Sequence, residues 1–171
     1  MLKIADSYFE KAQQATDKKT KTSNYQKACE RYYMQTQLNP KNVYPYIQIG
    51  RIYTAEQKNK LAKEYFLTAL GIEPENTLAN YRFGDYYFAR SNKRLALEYY
   101  SKAYNSGLKN DIELNKKMAE IYENFGDILK SNFYYKKAYM LQPENEELSD
   151  KIRDLESLKY KNTGYYSKKR K

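Results

Sequence analysis

One spacing recurs along the chain and limits what it can fold into. Ile49, Gly50 and Tyr53 return as Phe83, Gly84 and Tyr87, and again as Met118, Ala119 and Tyr122. Twelve residues after each small residue stands another: Ala62, Ala96 and Ser131. Four further on comes an aromatic (Phe66, Tyr100, Tyr135), and three beyond that an alanine (Ala69, Ala103, Ala138). Pro74 and Pro143 close the second and fourth units, while Leu108 stands at that point of the third. The unit is 34 residues, with one extra residue near 105–111.

Within each half of the unit the apolar residues recur at three and four, the signature of an amphipathic helix. The breaks between halves read AEQKN, RSNK and NFGD, short and rich in turn residues, as antiparallel neighbours require. Each unit is therefore a helix hairpin. Paired small residues let its two helices approach closely, and proline ends the second helix by removing a donor.

This pattern resembles the tetratricopeptide repeat, whose aromatic, Leu-Gly, Tyr, Ala, Phe and Pro positions follow the same spacing. Over residues 43–76 every element has a match: Tyr46, Ile49, Gly50, Tyr53, Ala62, Phe66, Ala69 and Pro74. The resemblance implies an all-α, right-handed α-solenoid of antiparallel helix hairpins. Repeats are expected at 43–76, 77–111 and 112–145, preceded by an irregular hairpin with an insertion at 1–41. A capping helix is expected at 146–160, with Leu148, Ile152, Leu155 and Leu158 on one stripe, because a solenoid must end on a partly polar face. The basic stretch 161–171 lacks apolar periodicity and is expected to be extended or mobile. Asn80 and Asn115 replace the first aromatic, and Ala119 and Ser131 form the last small pair; the fold is expected to survive these departures.

In the first unit, Ala5 and Tyr8 match one helix and Ala28, Tyr32 and Pro40 the next, but the small residues are 23 apart instead of 12. Eleven extra residues are close to three helical turns. Either the hairpin is longer, or the lysine-rich TDKKTKTSN is looped out. The match begins mid-helix at Met1, which suggests a cut from a longer protein.

The formal charge is +10, but residues 159–171 carry six Lys/Arg and no acid, leaving 25 basic against 21 acidic residues over 1–158. The strong charge thus belongs to the tail. With no histidine, one cysteine (Cys29) and no glycine-rich phosphate loop, the chain does not read as an enzyme and calls for no cofactor or metal. No apolar run is long enough for a membrane span and no signal peptide is evident; cytoplasmic is the default reading, with export as part of a longer precursor still compatible.

The resemblance further implies a concave groove lined by the first helices of successive repeats. Carried over, its residues are Tyr44, Ile47, Gln48 and Arg51, then Leu78, Tyr81, Arg82, Asp85 and Phe88, then Lys116, Lys117 and Glu120. The remaining tyrosines at helical spacing, Tyr46, Tyr53, Tyr65, Tyr87, Tyr100, Tyr122 and Tyr135, are assigned to the core or its rim. The implied function is an interaction scaffold that takes a peptide or helix of a partner protein. Leu2 and Asp6 stand where chaperone-binding members of the family carry a lysine and an asparagine, which argues against that role. The rival readings are a structural piece or chaperone of a larger secretion or envelope assembly, self-associating in one version, and nucleic-acid contact through the tail. The last is the weaker, because two tail tyrosines are a thin stacking platform.

Overall fold

The computed structural model describes the backbone of residues 1–168 and the side chains through residue 158. Its elements are α1 (Leu2–Gln14), α2 (Lys18–Leu38), α3 (Val43–Ala55), α4 (Asn59–Ile72), α5 (Thr77–Phe88), α6 (Lys93–Ala103), a π-helical turn (Tyr104–Leu108), α7 (Ile112–Asn124), α8 (Ile128–Leu141) and α9 (Glu146–Lys168). They form two compact units, Met1–Ala103 and the residues from Tyr104 onward. The first holds hairpins α1–α2, α3–α4 and α5–α6, with α2 packed on α3 and α3 on α5. The second holds hairpin α7–α8, with α9 packed on α8.

A backbone rule sets the hairpin length. Seven residues past the first small residue, Gln57, Ser91 and Gly126 have φ of +60°, +55° and +75°. This left-handed conformation stops the first helix and turns the chain. In the first hairpin that position is Ala12, which stays helical and fully buried. Measured from the small residues, α3 ends five past Gly50 and α1 nine past Ala5; α4 begins three before Ala62 and α2 ten before Ala28. The differences, four and seven, absorb all eleven extra residues as helix. The hairpin is longer, and TDKKTKTSN is not looped out: Asp17 caps α2 by accepting from the Thr20 amide at 2.7 Å.

The extra residue of the third unit falls in the π-helical turn, where Gly107 has φ +143°. A π turn is how a helix absorbs one inserted residue. No proline is needed to end the helix there, because the glycine turns the chain.

Asn80 and Asn115 are fully buried, and each amide spans the inter-repeat loop. Asn80 donates to the carbonyls of Pro74 (2.9 Å) and Asn76 (3.0 Å), and Asn115 to those of Lys109 (3.0 Å) and Asp111 (2.7 Å). Tyr46, at the same position in its repeat, donates its hydroxyl to Pro40 O at 3.2 Å. Aromatic and amide thus reach the same carbonyl, six residues back. This is why the departure is tolerated.

The core follows the repeat: Ala5, Ala28, Tyr32, Ala62, Phe66, Phe83, Ala96, Tyr100, Ala119, Tyr135 and Ala138 are buried. The close approach at each glycine, however, is to the ring sixteen residues on, not to the partner alanine. A Cβ on Gly84 would lie 2.4 Å from Tyr100 Cδ1, and one on Gly50 3.1 Å from the Phe66 ring.

Leu148 and Leu155 of α9 are buried against the Ala119, Tyr135 and Ala138 cluster, with Ile152 partly covered. Leu158 is 44% exposed, so the buried stripe ends before it. The helix itself continues to Lys168, past the expected boundary at 160, and replaces the extended segment expected from 161. No proline follows Pro143, so no backbone block stops the helix there. Residues 169–171 lie outside the described residues.

Candidate interaction face

The residue after each first-helix small residue sets the local charge: Asp6, Arg51, Asp85 and Glu120 in turn. In the first unit of the fold, Asp6 Oδ1 accepts from the hydroxyls of Tyr32 (2.5 Å) and Tyr44 (2.8 Å). Burial and this carboxylate push the Tyr32 and Tyr44 hydroxyls above the usual phenol range. Asp85 Oδ1 likewise accepts from Tyr100 at 2.9 Å, while its Oδ2 pairs with Arg82 at 3.0 Å. In the hairpin between them the equivalent positions are Arg51 and Phe66, and the latter has no hydroxyl to donate.

The Arg51 guanidinium turns away from its own hairpin and lies 4.4 Å from the Phe9 ring centroid, while Nη1 donates to Gln48 Oε1 at 2.7 Å. Burial, with Arg82 nearby, lowers its pKa from the ordinary arginine value. Among the described residues no carboxylate lies within ion-pair distance of it, and Asp85 is the nearby carboxylate that partly offsets its burial. A cleft of about 300 Å³ opens here, with Phe9, Gln13, Arg51, Thr54, Arg82, Asp85, Tyr86 and Ala89 among its walls. Its electrostatics are two arginines against one paired aspartate, over an aromatic floor.

The structure therefore brings Arg51, Arg82 and Asp85 into one cleft. Tyr81 and Phe88 gather on Tyr100, at 5.9 and 6.2 Å between ring centroids, and Arg82 lies 5.0 Å from the Tyr81 ring. Leu78 is half-buried at the edge of the core. Tyr44 is half-buried, and its hydroxyl is engaged by Asp6. Ile47 and Gln48, expected to line the groove, are 1% and 4% exposed. The reason is that α3 is covered by α2, α4 and α5, and Ile47 joins the Val43, Ala79 and Phe83 cluster. In the second unit Lys116 is half-buried and pairs with Glu113 at 3.2 Å, Lys117 is half-buried, and Glu120 is exposed.

Phe9, Gln13, Tyr86 and Ala89 were not expected in the cleft. Phe9 shares its repeat position with Thr54 and Phe88, so the register held a signal for it. Gln13 lies in the four-residue extension of α1, which no repeat pattern covers.

Among the described residues, no three His, Cys, Asp or Glu gather in a metal-binding group, and no helix is long and apolar enough to cross a membrane. The tetratricopeptide repeat model matches residues 43–76 and 115–145. No curated protein matches the chain by sequence. Among solved structures, PilF of Pseudomonas aeruginosa is similar at 15% identity and TM-score 0.71, over 96% of this chain and 71% of that one. MamA residues 41 to the end, from Desulfovibrio magneticus RS-1, is similar at 17% identity and TM-score 0.68, over 96% and 92%. A further MamA structure is similar at 19% identity and TM-score 0.67, over 98% and 91%. Likenesses at this identity concern the fold, and they agree with the repeat match: residues 43–76 and 115–145 are tetratricopeptide repeats within an all-α, solenoid-type architecture of helix hairpins.

Proposed function

We propose that the chain is a protein-interaction scaffold that receives an extended or helical segment of a partner protein on the first-helix face of its first unit. The observation that carries this reading is Arg51: a half-buried guanidinium at a cleft, with no carboxylate in ion-pair distance among the described residues. Leaving a cation desolvated and unpaired is costly, and an acidic group on a partner offsets that cost. Tyr81, Arg82 and Phe88 add an aromatic and basic border of the kind enriched where binding energy concentrates. The face is largely preformed, so little ordering is required on this side. Lys116, Lys117 and Glu120 offer a mixed-charge face on the second unit, to which the same kind of role is assigned.

The test is affinity capture from native cells with the full chain, followed by titration of the identified partner. Arg51→Gln and the double change Tyr81→Ala, Phe88→Ala are each expected to weaken the partner roughly tenfold or more. Removal of residues 160–171 is expected to leave it bound. A partner lost on truncation but indifferent to the cleft changes, with steeply salt-dependent affinity, transfers the function to the tail.

A further inference from the structure

A second cavity in the same unit, of about 420 Å³, has the opposite chemistry. It lies where α2 passes the α3–α4 turn, and its walls include Tyr25, Tyr33, Tyr53 and Tyr65 with Glu30 and Glu56. Of its lining residues only Tyr25 also touches the Arg51 cleft. Thr22, on its wall, belongs to the seven-residue extension of α2, so the overlong first hairpin helps to build the cavity. The Tyr53 and Tyr65 rings stand 5.5 Å apart, inclined at 49°. Burial raises the pKa of both hydroxyls, Tyr53 to about 12, and that of the Cys29 thiol, so these groups are neutral near pH 7.

The charged wall residues are therefore Glu30, Glu56 and Lys58. Lys58 Nζ pairs with Glu56 Oε2 at 2.9 Å and lies 5.6 Å from the Tyr53 ring centroid. The chain thus supplies an internal example of a cation seated between a ring and a carboxylate at this rim. Glu30 accepts the Gln26 amide at 3.1 Å and, among the described residues, has no cation in pairing distance. An apolar occupant would leave both carboxylates facing it without water. A cationic one meets ring faces and a carboxylate together.

We infer that this tyrosine-lined cavity is a second docking site, and that its occupant is the arginine or lysine side chain of a basic segment on a partner protein. The probe is the pentapeptide acetyl-Gly-Gly-Arg-Gly-Gly-amide, titrated into the full chain and followed by amide NMR shifts. Its citrulline counterpart, equal in shape but uncharged, is the control. The arginine peptide is expected to shift the Cys29, Tyr53 and Glu56 signals saturably, with the citrulline peptide about fivefold weaker or more. The double change Glu30→Gln, Glu56→Gln is expected to cause a similar loss for the arginine peptide, while Arg51→Gln leaves its binding unchanged. Equal binding of the two peptides, shifts confined to the Arg51 cleft, or no saturable shift each overturn the proposal. The peptide comparison uses the natural chain, so it decides even if the double variant fails to fold.

Discussion

Hairpins α3–α4 and α5–α6 are neighbours in one unit and share one register, yet they solve the same contacts differently. In the first, Gly50 faces Phe66 at a Cβ distance of 3.1 Å; in the second, Gly84 faces Tyr100 at 2.4 Å. The first carries Arg51 after its glycine and sends it to Phe9; the second carries Asp85, which holds Tyr100 and Arg82. The first holds its entry loop with the exposed hydroxyl of Tyr46, the second with the buried amide of Asn80. The first hairpin of the chain makes the Asp–Tyr bond over Ala5, so that bond does not itself require glycine. The tight approach at Gly84 belongs to how α5 meets α6. A repeat fixes which positions touch, and local chemistry decides how closely and with what charge.

The largest effect should come from the glycines. Gly84→Leu is expected to cost about 3 kcal/mol or more, because the side chain enters the Tyr100 ring. Gly84→Ala should cost about 1–3 kcal/mol, whereas Gly50→Ala should stay within about 1 kcal/mol, the better helix propensity of alanine offsetting a small displacement of Phe66. Urea midpoints compare the two, and equal shifts for both alanine variants would break the distinction. Next comes the entry loop. Asn80→Ala should cost about 1–3 kcal/mol, since it strips bonds from a buried loop, and Tyr46→Phe less than about 1 kcal/mol, since its bond is exposed to water. Thermal melts in which the two changes match would show that burial does not separate them. The smallest is Tyr100→Phe, at about 1 kcal/mol. Combined with Asp85→Ala, it should cost less than the two single changes added together, because both remove one shared bond; strict additivity in a double-mutant cycle would remove that bond from the account.

Much of the fold was legible because the repeat writes backbone chemistry directly into the sequence. The spacing of Gly50, Ala62, Phe66 and Pro74 marks two helices, their contact and their end, and the breaks hold the residues that turn. Two choices were less legible. The helical fate of the eleven extra residues rests on Ala12 standing at the turn position, which reads clearly only once three left-handed turns are seen side by side. The asparagines looked like losses of an aromatic because the sequence does not reveal that both side chains seek one carbonyl.

By itself the sequence determined the hairpins, their register and a charge concentrated beyond residue 158. These are local or nearest-neighbour properties, set by periodicity and turn chemistry. Only the tertiary structure decided that α5 covers Ile47, that Gln48 is buried, that Arg51 crosses to Phe9, and that the overlong first hairpin helps wall two cavities of different charge. Those outcomes depend on which face of a helix a non-adjacent helix covers and where a long side chain finds room, and neither quantity is periodic in the chain.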